Sequence, residues 1–181
     1  VLTLVLGGAR SGKSRYAQQL ASSSDAAPVV FLATASAEGD PEMAARIARH
    51  RADRPPNWKT LEAPVELVSA AGSAEGVLLV DCVTLWIANL LYEHRALAIA
   101  ARERKILGEI EALAAILKEK ESIAVSNEVG EGIVPESAVA REFRDLQGQA
   151  NQILAREASK VVLVVAGIPL TVKGGSITGT S

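Results

Sequence analysis

The stretch Gly7-Gly8-Ala9-Arg10-Ser11-Gly12-Lys13-Ser14 constrains this chain more than any other. It fits the spacing G-x-x-x-x-G-K-[ST] without a mismatch. Residues 1–6 before it are apolar enough for a buried strand, and residues 15–21 after it are good helix formers. The motif therefore sits in the context it needs: strand, glycine-rich turn, helix. Gly7 and Gly12 permit backbone angles closed to other residues, so successive N–H groups can point into one concavity. The helix N-terminus adds a partial positive charge beneath it. Such a cradle suits the phosphates of a nucleoside triphosphate. Lys13 would reach the β- and γ-phosphates, and the Ser14 hydroxyl would hold Mg²⁺.

Apolar runs alternate with helical patterns along the rest of the chain. Strands are expected at 1–6, 28–33, 77–81, 122–126 and 160–166, with a weaker one at 58–61. Helices are expected at 13–22, 41–50, 64–71, 83–119 with a break near 94–97, and 136–158. Continuous apolar strands separated by helices mean a parallel sheet buried on both faces. The expected fold is a three-layer α/β sandwich of the P-loop NTPase type, with a mostly parallel sheet. The length, 181 residues, suits one domain, expected over 1–173, with 174–181 a flexible tail or cloning remnant. Aromatic residues are only 3%, which fits an open sheet covered by helices better than an aromatic-rich sandwich.

Charge and cysteine usage remove several function classes. A net charge of −2 gives no global basic field for nucleic acid or a membrane surface. Cys82 is the one cysteine, so no internal disulfide can form, and it reads as a small buried core residue. No secretory signal and no apolar run of about 18 residues is visible, so no membrane span is expected. The first strand starts at residue 1, leaving no room for a targeting peptide in this sequence, and a reducing cytoplasm is the expected location.

In parallel sheets ligands bind beyond the carboxyl ends of the strands. The loop after 28–33 carries Ala33, Thr34, Ala35 and Ser36, small enough to leave room for a ligand, with Thr34 or Ser36 equally suited to capping a helix. Asp81 follows four apolar residues, the pattern of a carboxylate that helps hold Mg²⁺ in P-loop enzymes. His50 lies among Arg46, Arg49, Arg51 and Arg54, just before Pro55 and Pro56. A neutral imidazole there could act as a nucleophile beside phosphate-binding arginines. The same run also reads as a solvated basic helix end. His94 reads as structural. The loop from Ser126 through Asn127 and Glu128 to Glu136 is polar and contains glycine, suited to contacting a substrate. The helix after it carries Arg141, Arg144, Asp145 and Asn151, which fit a solvated face with local ion pairs.

Taken together, these segments resemble the bifunctional adenosylcobinamide kinase / adenosylcobinamide-phosphate guanylyltransferase family of cobalamin biosynthesis. The resemblance runs from about residue 2 to residue 172. It rests on the P-loop, on Ala33-Thr34-Ala35, and on Arg46-Ile47 followed by His50-Arg51 and Arg54-Pro55. Trp58, Thr60, Glu62 and Val80-Asp81-Cys82-Val83-Thr84 continue it. Ser126-Asn127-Glu128-Val129-Gly130, Gly132-Ile133-Val134-Pro135, Phe143-Arg144-Asp145, Gly148, Asn151-Gln152 and Val165-Ala166-Gly167-Ile168-Pro169 complete it. The resemblance implies that His50 is the guanylylated histidine. It implies nucleotide-binding positions at Gly7, Gly8, Ala9, Arg10, Ser11, Gly12, Lys13 and Ser14, at Ala33, Thr34 and Ala35, at Arg51, Ala52, Asp53 and Arg54, and at Glu62 and Asp81. Asp81 keeps a carboxylate, with shorter reach, where other members carry Glu. ATP and GTP as substrates, Mg²⁺, a corrinoid acceptor and a homotrimer are implied in the same way. A P-loop kinase of another small metabolite or nucleotide, which would leave His50 idle, is the second reading. A nucleotide-gated binding module without turnover is the third.

Overall fold

A computed structural model describes residues 1–24, 28–35, 48, 51 and 54–175. The strands are β1 (Leu2–Gly7), β2 (Val29–Ala33), β3 (Lys59–Glu62), β4 (Val77–Asp81), β5 (Ser122–Asn127), β6 (Lys160–Val165) and β7 (Ile168–Lys173). The helices among the described residues are α1 (Lys13–Ser22), α2 (Leu67–Ser73), α3 (Val83–Glu93), α4 (Ile99–Glu119) and α5 (Ala138–Glu157). The strands form one sheet in the order β3-β2-β4-β5-β1-β6-β7. Every neighbouring pair is parallel except β6 and β7. The carboxyl ends of β1 to β6 thus share one edge of the sheet.

Alternation along each strand divides the apolar side chains between two faces. Leu4, Leu32, Leu78, Val80 and Ala124 point to one face and meet Leu67, Trp86, Ile110, Leu113, Leu146 and Leu154 of α2 to α5. Val5, Phe31, Leu79, Val125 and Val162 point to the other and meet Ala17 and Ala21 of α1. Both faces are covered, which is why the central strands read as unbroken apolar runs. The expected three-layer sandwich is the observed one. Trp86 is fully buried in the larger layer, and its indole N–H donates to Val65 O at 2.8 Å. Trp86→Ala should lower stability by about 3–5 kcal/mol, read as a shifted urea midpoint in equilibrium unfolding.

The break in the 83–119 helical stretch is real and has a visible tie. Arg102 donates to Arg95 O and Leu97 O across the break, each at 3.3 Å, and forks onto Glu142 of α5 at 2.8 and 2.6 Å. His94, at the end of α3, places Nε2 3.3 Å from Glu109 Oε1, in keeping with a structural role. Lys120 closes α2 by donating to Ala71 O, Gly72 O and Ala74 O, each at 2.8 Å.

Two elements differ from expectation. The weak strand at 58–61 is β3, one residue later. No strand is expected after 166, yet that segment forms β7. Pro169 argues against a central strand but is tolerated at a sheet edge, where β7 lies. Ala166 (φ +51) and Gly167 (φ +81) make the two-residue hairpin turn that joins β6 to β7. The expected helix at 41–50 lies outside the described residues apart from Ala48.

Candidate active site

The turn after β1 is built against the β6–β7 hairpin. Gly12, at the start of α1, has φ +94, and a Cβ there would stand 3.3 Å from Gly167 Cα. Gly167 N–H donates to Ser11 O at 2.8 Å. The glycine at position 12 thus satisfies both the left-handed backbone and the close approach of the hairpin. The first turn of α1 contains no acidic residue and no side chain caps it. Its N-terminal dipole is therefore left for an external anion. Lys13 is buried, and Nζ donates to Gly8 O at 3.0 Å. Ser14 Oγ donates to Asp81 Oδ1 at 3.3 Å, which joins the P-loop to the end of β4.

A cavity of about 370 Å³ opens over this edge of the sheet, within the range of small-ligand sites. The P-loop contributes Ala9, Arg10, Lys13 and Ser14 to its wall. The β2 and β3 side contributes Phe31, Ala33, Ala35, Thr60 and Glu62, together with Arg51 and Arg54. The β4 and β5 ends contribute Asp81, Cys82, Thr84, Leu85 and Asn127. Residues more than a hundred positions apart in sequence thus share one wall.

Arg54 is held in place by two contacts. Its guanidinium carbon lies 3.5 Å from the Phe31 ring centroid, and Nη1 donates to Thr60 Oγ1 at 3.2 Å. Its Nε is buried without a partner among the described residues. Burial lowers the Arg54 pKa from its ordinary value, Asp81 opposes the shift and Arg51 adds to it. Arginine starts so high that it stays charged at neutral pH. Lys13, Arg51 and Arg54 therefore give the cavity several cations around the carboxylate of Asp81. Cys82 is different. Burial, then the nearby Asp81, pushes its thiol up to about 11, so it stays neutral and is no nucleophile at neutral pH.

Residues 3–172 match the family described as CobU, cobinamide kinase / cobinamide phosphate guanyltransferase. The chain belongs to this family. Among curated relatives, the bifunctional adenosylcobalamin biosynthesis protein CobP of Pseudomonas aeruginosa is 46% identical over 176 residues, covering 94% of this chain and 96% of its own. The bifunctional adenosylcobalamin biosynthesis protein CobU of Escherichia coli is 42% identical over 184 residues, covering 96% of this chain and 100% of its own. Among solved structures, an ATPase from the type III secretion system of pathogenic bacteria is similar in fold, with a TM-score of 0.54 at 11% identity. The match covers 94% of this chain and 56% of the ATPase. That likeness is one of fold alone.

Of the positions implied for nucleotide, the cavity gathers Ala9, Arg10, Lys13, Ser14, Ala33, Ala35, Arg51, Arg54, Glu62 and Asp81. Gly7, Gly8, Ser11 and Gly12 shape the turn beneath them. Thr34 stands apart. It is fully buried, and its Oγ1 donates to Cys82 O at 2.8 Å and accepts from Cys82 N–H at 2.9 Å. That pair bolts the β2 loop to the β4 loop, so Thr34 is neither a cap nor part of the cavity wall. His50, Ala52 and Asp53 lie outside the described residues, as do Arg46, Arg49 and Ser36. The sequence does not mark Phe31 as a wall residue because it reads as core, which it also is. Thr84 and Leu85 escape the same reading because they open a helix that is otherwise apolar. Asn151, expected on a solvated face, is instead 5% exposed and bonded beneath the cavity. Arg144 and Asp145 do form the expected local pair, at 3.0 Å.

Proposed function

We propose that this chain catalyses both reactions for which its family is named, in the cavity at the ends of β1, β2, β4 and β5. The first moves a γ-phosphoryl group from ATP or GTP to the aminopropanol hydroxyl of adenosylcobinamide. The second moves GMP from GTP to the resulting phosphate, releases pyrophosphate and gives adenosylcobinamide-GDP. The observation that carries this reading is the joining of Lys13, Ser14 and Asp81 with Arg51 and Arg54 around one cavity in a member of the CobU family. The whole reaction belongs to one α/β domain spanning 1–173. The cytoplasm, where nucleoside triphosphates are supplied, is the compartment that goes with it.

Lys13 meets the β- and γ-phosphates, and the N–H groups at the start of α1 face the same anion. Arg51 and Arg54 bind the remaining phosphate oxygens and hold charge that grows in each transfer. Glu62, Ala33 and Ala35 bound the nucleoside side of the cavity. His50 attacks the α-phosphorus of GTP, forming an N–P bond as pyrophosphate leaves. The substrate phosphate then attacks the same phosphorus, and the imidazole leaves. Two displacements replace one difficult reaction between two anions, and the first uses a neutral nucleophile.

Mg²⁺ fits the donors present. Ser14 Oγ and Asp81 Oδ1 are hard oxygens 3.3 Å apart, and among the described residues no three acidic, histidine or cysteine side chains form a metal cage. That is the donor set of a cation which completes its shell with water and phosphate oxygens. When bound, it neutralises charge on the phosphate oxygens. Asp81→Asn keeps the shape and removes the charge. It should raise the Mg²⁺ concentration needed for half-maximal turnover and weaken turnover at saturation, with an unchanged circular dichroism spectrum. A Mg²⁺ titration identical to wild type would make Asp81 a simple strand end.

A homotrimer is part of the same reading. The exposed apolar side chains of Val165, Ile168, Leu170 and Val172 around the β7 edge supply a surface that such an assembly could cover. Incubation of the protein with adenosylcobinamide, ATP, GTP and Mg²⁺ tests the function directly. Adenosylcobinamide-GDP and pyrophosphate are the expected products. Phosphorylated adenosylcobinamide alone would reduce the reading to a kinase.

A further inference from the structure

Strand β5 runs between β4, which ends in Asp81, and β1, which ends in the P-loop. In the register of these strands Gly7 lies opposite Asn127, and Asp81 lies opposite Val125. Asn127 is thus the residue that the topology carries between the P-loop and the acidic strand end. It lines the same cavity as Lys13, Ser14 and Asp81.

Its main chain is gripped from both sides by side chains. The Asn127 N–H donates to Thr84 Oγ1 at 2.7 Å, and its carbonyl accepts from Asn151 Nδ2 at 3.0 Å. Asn151 is itself fixed from below. Ser126 Oγ donates to Asn151 Oδ1 at 2.7 Å, while Gln147 Nε2 reaches Ser126 Oγ at 2.8 Å and Asn151 Oδ1 at 3.0 Å. Ser126, Gln147 and Asn151 are all buried. Buried amides are costly unless paired, and Gln147 Oε1 has no partner among the described residues. An apolar filling would hold a strand end at less cost. This arrangement fixes the position of one polar residue. The side chain of that residue is not used up by the fold: Asn127 Oδ1 is buried without a partner among the described residues. Asn127 lines the cavity and its Nδ2 is not among the buried unpartnered atoms of the described residues, so the amide can present that donor to a ligand. A carboxamide donor is neutral, so it can meet a phosphoryl oxygen without the repulsion a carboxylate would bring.

We propose that Asn127 is a catalytic residue of phosphoryl transfer, its Nδ2 donating to the terminal phosphoryl group of the nucleoside triphosphate, with Thr84 and Asn151 as positioning residues. This rests on the nucleotide site proposed above and adds a residue to it. The contact is specific to the terminal group, so it separates the two half-reactions. Bond breaking occurs at the γ-phosphorus in the kinase step but at the α-phosphorus in guanylyl transfer.

The test uses the full chain as wild type, Asn127→Ala and Asn127→Asp, titrated calorimetrically with ATP and with ADP in the presence of Mg²⁺. Asn127→Ala should weaken ATP binding by about ten- to 150-fold, the worth of one hydrogen bond to a charged group. ADP binding should stay within about twofold. Asn127→Asp, nearly isosteric, should lose more ATP affinity than Asn127→Ala because its carboxylate opposes the phosphate. In the kinase assay Asn127→Ala should lose about 10²-fold in kcat. Guanylyl transfer to supplied adenosylcobinamide phosphate should fall by less than about tenfold. Equal losses for ATP and ADP, or equal losses in the two half-reactions, would make Asn127 a structural strand end and overturn the proposal. So would unchanged ATP binding in both variants. Should Asn127→Ala unfold, Asn127→Asp keeps the packing and decides by the same ATP and ADP comparison. If the wild type turns over no cobinamide, that comparison still decides this point while the functional reading falls.

Discussion

Lys13→Ala is expected to reduce phosphoryl transfer by about 10²–10³-fold in kcat, the range for removing one preorganised donor from a transition state. Ground-state binding should suffer less. A single hydrogen bond to a charged group is worth about 1.5–3 kcal/mol, so nucleotide affinity should fall by about ten- to 150-fold at 1.36 kcal/mol per decade. The lysine sits at the first turn of α1, and its Nζ meets Gly8 O at 3.0 Å. In that posture it closes the turn that would enclose a phosphate, and a bound nucleotide offers it a stronger partner. The fold should survive, because the glycine turn is held independently by Gly167 N–H on Ser11 O and by the Ser14 to Asp81 bond. Steady-state kinase assays with saturating nucleotide, and circular dichroism beside them, check this. Near-normal turnover would remove Lys13 from the chemistry.

The two ends of the β4-to-β1 span are legible in the amino-acid sequence itself. The P-loop carries its own context in consecutive residues, and Asp81 closes an unmistakably apolar run. Both signals are local. The residues between them are legible only as a polar loop, because what defines Asn127 is a set of contacts made across 24 and 43 residues of chain. Thr34 shows the same limit from the other side. Its small size after a strand suits a ligand loop, yet the hydroxyl is consumed by both polar main-chain groups of Cys82. Nothing within a few residues of Thr34 announces that partner, 48 positions away. Strand β7 escapes notice because proline and the hairpin turn lower local strand propensity, while edge position removes the objection. The Arg54 seat is a further tertiary product, since its stacking partner Phe31 lies on a strand whose periodicity assigns it to the core.

The histidine is the point where the bifunctional reading parts from that of a simple kinase. Its chain neighbour Arg51 lines the cavity, as does Arg54. An N–P bond to imidazole is labile in acid and comparatively stable in alkali, the reverse of an acyl phosphate. The decisive measurement supplies GTP labelled at the α-phosphate, with Mg²⁺, to wild-type and His50→Ala protein. Wild type is expected to retain protein-bound label with that stability profile and to lose it when adenosylcobinamide phosphate is added, as the substrate phosphate displaces the imidazole. His50→Ala should retain none and lose guanylyl transfer, while keeping most phosphoryl transfer through Lys13 and Asp81. Stable label on His50→Ala would contradict the assignment of the nucleophile. A wild-type protein that phosphorylates adenosylcobinamide yet never holds label would contradict the two-step guanylyl transfer itself.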